Sequence, residues 1–219
     1  MNTNRQNGLR GKTVLILSGP TREYIDPVRY LSNASSGKMG KALAAAACAL
    51  GATVEFVTGP VCRKNVPAGK NTRIHPVVSA QDMLTKAQSL FPKAHITLFA
   101  AAVADYRPAK VQSRKMASGR KTLTLRLSPT PDIAAALGRK KKRGRITIGF
   151  ALQTHDALRQ AWKKMHVKNL DAIILNSPEA IGQEKAVYSF ITRHGYADWG
   201  TLAKNACARK ILAEAVKIL

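Results

Sequence analysis

The residues of this chain best suited to chemistry are concentrated between Ser18 and Gly40. They run Ser18–Gly19–Pro20–Thr21–Arg22–Glu23, then Asp26–Pro27–Val28–Arg29–Tyr30, then Ser32–Asn33–Ala34–Ser35–Ser36–Gly37–Lys38–Met39–Gly40. The last part is a serine- and glycine-rich lead into an Ala-rich helical pattern. Free N–H groups and the helix dipole make such a start an anion site, so Ser35, Ser36, Gly37 and Lys38 fit phosphate oxygens. A serine-capped helix with no ligand is the alternative. The chain contains no GxxxxGK[ST] and no GxGxxG. A Walker A loop is therefore absent, and a nicotinamide-dependent reductase with a conventional dinucleotide fingerprint is disfavoured.

A second loop, AAAVADYRP from Ala100 to Pro108, follows an apolar run. Small side chains at Ala100, Ala101 and Ala102 let backbone approach a ligand closely. Asp105 reads as a ribose or metal partner, or else as half of a local pair with Arg107. The histidines form no HExxH, and no triad or metal-ligand cluster is spaced out in the sequence. What remains is chemistry by positioning and charge stabilisation, as in phosphoryl or nucleotidyl transfer.

Alternating strands and helices must hold these loops. Thr13–Leu17, Thr53–Val57, Thr72–Val77, Ile96–Ala101, Thr122–Leu127, Arg145–Ala151, Asp171–Asn176 and Ala186–Thr192 read as strands. Gly37–Leu50, Ser79–Phe91, Asp132–Leu137, Thr154–Val167 and Leu202–Leu219 read as helices. This predicts one α/β domain over residues 12–219 after a disordered lead-in over residues 1–11. The sheet is expected to be Rossmann-like and mostly parallel, with helices on both faces and a small strand extension. Ligands in such folds bind beyond the carboxyl ends of the strands, here the loops after Leu17, Ala101, Ala151 and Asn176.

Composition narrows the class. The chain has 219 residues, 45% of them apolar, with no long uncharged run and no signal peptide, so a folded cytoplasmic protein is expected. Its 3 cysteines lack metal spacing, which fits a reducing compartment. Lys and Arg total 36 against 12 acids, a formal charge of +24, which attracts polyanions. The densest cluster, RKKKRGR at Arg139–Arg145, is a solvated loop, a phosphate-steering patch or an RNA contact. Aromatic residues make up only 5% and do not alternate with the bases, so a base-stacking platform is unsupported.

GPTREYIDPVRYLSNASSGKMG resembles, nearly throughout, the opening of the phosphopantothenoylcysteine synthetase domain. AAAVADYRP, Pro131–Asp132–Ile133, GFALQT at Gly149–Thr154 and KNLDAIILN at Lys168–Asn176 follow in that family's order. The resemblance implies a ligase of coenzyme A biosynthesis. CTP, with Mg²⁺, activates the carboxylate of 4'-phosphopantothenate as an acyl-cytidylate with release of pyrophosphate, and the amine of cysteine then attacks. It implies catalytic roles for Asn33, acting on the acyl-cytidylate, and for Lys115, closing over the triphosphate. Arg29, Ala101 and Ala102 would meet the pantothenate arm together with Asn33. Gly19 and Ser35–Lys38 would serve the phosphates, Asp105 and Asp132 the nucleotide, and Phe150 and Lys168 the base. No residue is assigned as a metal ligand.

The resemblance also implies a homodimer, with Thr122–Leu127 and Ala186–Thr192 as the candidate contact strands. A stand-alone synthetase is expected, its product passing to a separate phosphopantothenoylcysteine decarboxylase. The sequence departs from the family at Lys115–Met116–Ala117–Ser118, where further lysines are usual, and at Gln153, where glutamate is usual. It departs again at Leu175–Asn176–Ser177 and around Ile181–Lys185. With the +24 charge, these departures leave an alternative open: a basic Rossmann-like protein that binds nucleotide or nucleic acid without ligation.

Overall fold

Residues 8–117, 119, 122–152, 156–176 and 182–219 are described in the computed structural model of the chain. In chain order come β1 (Thr13–Ser18), β2 (Arg22–Tyr24), β3 (Tyr30–Ser32), α1 (Lys38–Ala49), β4 (Thr53–Thr58), β5 (Thr72–Pro76), α2 (Ala80–Leu90) and β6 (Ile96–Phe99). They are followed by β7 (Tyr106–Pro108), β8 (Leu127–Pro129), α3 (Ile133–Gly138), β9 (Ile146–Leu152), α4 (Ala157–Val167), β10 (Ala172–Asn176), β11 (Lys185–Thr192), β12 (Gly195–Ala203) and α5 (Lys204–Ile218).

Eight strands form one sheet in the order β12-β11-β10-β9-β6-β1-β4-β5. From β5 to β10 the pairs are parallel, and β11 and β12 return antiparallel. The chain winds outward from β1 through β4 and β5, then restarts at β6 and runs the other way. The switch between β1 and β6 opens a crevice at the strands' carboxyl ends. This is the Rossmann-like, mostly parallel sheet that the alternation predicts.

Successive side chains on each strand feed opposite faces, and both faces are apolar because both are covered. Val14, Ile16, Val54, Phe56, Ile96, Leu98, Ile148 and Ile174 pack with α1 and α5. Leu15, Leu17, Val57, Phe99 and Ile173 pack with Met83 of α2, Leu137 of α3 and Met165 of α4. Helix α1 lies so close to β1 that a Cβ on Gly40 would sit 2.0 Å from Ser18 Oγ. Only glycine allows that approach.

Several expectations are corrected. Of the lead-in expected over residues 1–11, residues 8–11 form a turn whose Leu9 is fully buried in the first cluster. The strand expected over Thr122–Leu127 does not form: only Leu127 joins a strand, the short β8 paired with β7, and residues 122–126 are irregular. The alternation of TLTLRL has no neighbouring strand to pair with, and Leu123 is half exposed. The hairpins β2–β3 and β7–β8 and the edge strand β12 were not expected. Strands of three residues leave no readable period, and β12 is interrupted by Gly200 and a register shift at Tyr188/Ser189. The start of the predicted helix Thr154–Val167 lies partly outside the described residues, as do Gln153, Ser177 and Ile181; from Ala157 the helix is α4.

The Arg139–Arg145 cluster lies at the amino end of β9, away from the crevice. Lys141 pairs with Asp171 at 2.8 Å and Arg145 donates to the carbonyls of Ala94 and Pro92, while Arg139, Lys140, Lys142 and Arg143 are exposed.

Candidate active site

A cavity of about 610 Å³ opens at the carboxyl ends of β1, β6, β9 and β10, the loops that the strand rule singles out. One end is the start of α1, where Ser35, Ser36, Gly37 and Lys38 all line the wall. The helix is not serine-capped, which corrects that alternative. Gly37 is the N-cap in the left-handed region at φ 74°, with no side-chain cap bond. Ser36 Oγ only approaches the Lys38 N–H at 3.5 Å, while Asn65 holds the Ser36 carbonyl at 2.8 Å. The first-turn N–H groups thus lack a side-chain cap at a positive helix end. Lys38 pairs with Glu184 and also donates to the Gly182 carbonyl at 3.4 Å.

The other end lies between α3 and α4. Asp132 caps α3 through the Ala135 N–H at 3.0 Å and pairs with Lys168 at 2.9 Å. Burial pushes its carboxyl up, but the Ala135 N–H and the Lys168 and Lys164 charges outweigh this and leave it below the usual carboxylate range. Lys164 donates to the Phe150 carbonyl at 3.2 Å. Burial and the neighbouring Lys168 push its ammonium below the ordinary lysine value, against the pull of Asp132 and Asp105. Asp105 is exposed at the cavity's rim; among the described residues no salt bridge joins it to Arg107.

Asn33 links two loops. Its amide donates to the Val103 carbonyl at 3.0 Å and more weakly to that of Ala102 at 3.4 Å, tying the lead into α1 to the loop after β6. Ala101, Ala102 and Phe150 also line the cavity. Three candidates stand outside it. Gly19 makes a tight turn at φ 73° and accepts the Ala102 N–H at 2.9 Å. Arg29 pairs with Asp26 at 3.2 Å. Lys115 is exposed, its neighbour Met116 bonded through its N–H to Asp26 at 3.2 Å. Asp26 therefore gathers Arg29 and the root of the Lys115 segment at one point, apart from the cavity of the same chain.

Lys164, Asn176, Tyr188 and Lys204 also line the wall and were missed. Lys164 was detectable, since it lies four residues before Lys168 and so on the same helical face. Tyr188 and Lys204 arrive through the antiparallel return of β11 and the start of α5, which leave no local signal. Among the described residues no group of three or more His, Cys, Asp and Glu converges as a metal site. Mg²⁺ bound mainly by phosphate oxygens and water needs only one or two carboxylates; Asp105, exposed at the rim, fits that limited demand, whereas both oxygens of Asp132 are engaged by the Ala135 N–H and Lys168.

The family model described as DNA/pantothenate metabolism flavoprotein C-terminal domain matches residues 9–219. The coenzyme A biosynthesis bifunctional protein CoaBC of Bacillus subtilis is 47% identical over 174 residues, 80% of this chain and 42% of that protein. A cysteine/cysteine sulfinic acid decarboxylase of an unknown prokaryotic organism is 45% identical over 169 residues, 77% of this chain and 46% of that protein. The chain thus spans less than half the length of these curated relatives. The crystal structure of the C-terminal domain of coenzyme A biosynthesis bifunctional protein CoaBC has a TM-score of 0.83 at 35% identity, covering 97% of each chain. A Cab2 variant in complex with phosphopantothenate-cysteine shares the fold, with a TM-score of 0.75 at 19% identity over 95% of this chain and 86% of that one. The matched span and the shared fold agree: this chain belongs to the DNA/pantothenate metabolism flavoprotein C-terminal domain family.

Proposed function

We propose that this domain joins L-cysteine to 4'-phosphopantothenate through an acyl-cytidylate, as a ligase of coenzyme A biosynthesis. The observation that carries the reading is the single cavity in which the α1 N-terminus, Lys38, Lys164 and Lys168 converge with Asn33 and the small-residue loop Ala101–Ala102. Two polyanions that repel each other must be held in one place, and cations and helix N–H groups at both ends of one cleft do that.

In the first step a carboxylate oxygen of 4'-phosphopantothenate bonds to the α-phosphorus of CTP, and the bond to the leaving pyrophosphate breaks. Lys38 and the α1 N–H groups hold phosphate oxygens, and Lys164 and Lys168 offset charge at the nucleotide end. Mg²⁺, when bound, would neutralise charge on the leaving pyrophosphate. Lys115 would act from its own segment by swinging toward the triphosphate. In the second step the cysteine amine attacks the acyl carbon, CMP departs with the electron pair of the broken C–O bond, and the amine proton passes to solvent water. The neutral amide of Asn33 suits the developing oxyanion once it gives up its longer bond, to the Ala102 carbonyl, and the small side chains of Ala101 and Ala102 let substrate lie against backbone.

The test is pyrophosphate release with CTP or ATP, Mg²⁺, 4'-phosphopantothenate and cysteine. Cysteine-dependent product is expected, with CTP preferred; no product with either nucleotide would sink the reading.

A homodimer goes with this proposal. The β7–β8 arm exposes Tyr106, Val111, Leu123 and Leu127, an apolar surface that a second copy would cover. Strand β11 is closed to backbone pairing with a partner because β10 and β12 take both its edges. The product would pass to a phosphopantothenoylcysteine decarboxylase.

A further inference from the structure

Among the described residues, two buried side-chain oxygens lack a hydrogen-bond partner, Ser18 Oγ and Tyr188 Oη. Ser18 is sealed beneath Gly40, whereas Tyr188 lines the cavity. Tyr188 is 1% exposed, and burial, with the Cys207 thiol nearby, pushes its phenol up to about 12. It is therefore a neutral O–H donor under physiological conditions. A buried hydroxyl with no acceptor is a standing cost that native structures rarely leave in place without reason.

A short strap crosses the wall beside it. Lys38 holds the Glu184 carboxylate and the Gly182 carbonyl, and Lys204 holds the Gln183 carbonyl through its ammonium and the Glu184 carbonyl through its backbone N–H. Two lysines that line the cavity are thus occupied by the chain's own oxygens. The Glu184 side chain is 77% exposed, so its ion pair is screened by water and easily exchanged. Lys204 is pushed down chiefly by burial, with Glu184 as the carboxylate that supports its charge. Removing that carboxylate releases Lys38 from its ion pair and takes a negative charge away from Lys204.

We propose that Lys38, Lys204 and Tyr188 form one phosphate subsite in which Glu184 is a built-in competitor. An incoming phosphate group takes Lys38 from Glu184, loosens the strap and accepts the hydrogen bond that the Tyr188 hydroxyl otherwise lacks. The phosphate belongs to the monoester of 4'-phosphopantothenate or to the triphosphate of CTP, an assignment that rests on the ligase reading.

Calorimetric titration of 4'-phosphopantothenate, CTP and inorganic phosphate into wild type, Tyr188→Phe and Glu184→Gln tests it. Tyr188→Phe is expected to lose about tenfold in affinity for the ligand whose phosphate sits there. Its ligand-free melting temperature should stay equal or rise, because an unpaired polar atom has gone. Glu184→Gln is expected to bind the same ligand about threefold more tightly. Which organic ligand responds identifies the source of the phosphate. Affinities unmoved in either variant, or a fall in ligand-free melting temperature in Tyr188→Phe, overturn the subsite. An active ligase indifferent to both variants overturns the subsite and leaves the ligase standing. A response to inorganic phosphate alone keeps a phosphate site but overturns its assignment to the ligase's substrates, and wild type that binds none of the three sinks both.

Discussion

Asn33 illustrates how one amide holds two loops together. Its bonds to the Val103 and Ala102 carbonyls join the lead into α1 to the loop after β6, so an aspartate there would face two carbonyl oxygens with a like partial charge. Asn33→Asp should slow the cysteine step more than activation, so that the acyl-nucleotide accumulates; quenched time courses separated by chromatography would show it, and unchanged turnover would remove Asn33 from the mechanism. Lys164 predicts a proton effect. Because burial and Lys168 lower its affinity for a proton, a bound anion should restore that affinity, and nucleotide binding should take up protons as pH approaches the ordinary lysine value from below. Calorimetry in two buffers of different ionisation enthalpy measures the uptake. Asp132 titrates in the opposite sense. Its carboxyl is depressed on folding, so its contribution to stability is complete above the ordinary carboxylate range and is lost as pH falls through the folded value. Asp132→Ala, which removes the α3 cap and the Lys168 partner, should cost about 1–2 kcal/mol at neutral pH by urea unfolding, with the difference closing in acid.

At the level of elements, α1 is the part on which the site depends. It has a run of small residues, and its first turn lies directly over β1, so Gly40 sets the distance between the uncapped first-turn N–H groups and the sheet. Gly40→Ala improves helix propensity, yet the new methyl group would lie 2.0 Å from Ser18 Oγ and 2.5 Å from its Cβ. The clash should dominate, with a net loss of about 1–3 kcal/mol in urea unfolding and weaker phosphate binding as the helix start shifts. The long elements were readable in the sequence because fully covered strands such as Thr13–Ser18 and Ile96–Phe99 show unbroken apolar runs. The hairpins β2–β3 and β7–β8 were not. Each is set by pairing between strands of three residues, which a periodicity cannot register.

Two groups of basic residues lie at opposite edges of the sheet. The crevice end carries Lys38, Lys164, Lys168 and Lys204 beside Asp105 and Asp132, while the exposed part of the Arg139–Arg145 cluster lies at the opposite edge. If the β7–β8 arm pairs two copies, the protein should sediment at twice the mass of one chain, and Leu123→Asp with Leu127→Asp should halve it; a monomeric wild type would retire the dimer. The N-terminal turn belongs to the same core. Leu9 is fully buried, so Leu9→Ala should cost about 2–5 kcal/mol, measurable as a lower urea midpoint.

The sequence by itself determined the alternation of strand and helix, hence the parallel sheet and the edge at which a ligand must lie. It also carried the long run from Gly19 to Gly40 that marks the family. Local order sufficed there because strand, turn and helix start are contiguous in the chain. Only tertiary structure decided that Lys164, Tyr188 and Lys204 face the same cavity as Ser35–Lys38. It also decided that Lys38 is held by Glu184, that α1 starts at an uncapped Gly37, and that Arg29 and Lys115 gather at Asp26 instead. Lys164, Tyr188, Lys204 and Glu184 are brought to Ser35–Lys38 by sheet register and helix packing across more than 100 residues of chain, and Met116 to Asp26 across 90. Neither propensity nor spacing encodes that, because each reports only on a residue's neighbours in sequence.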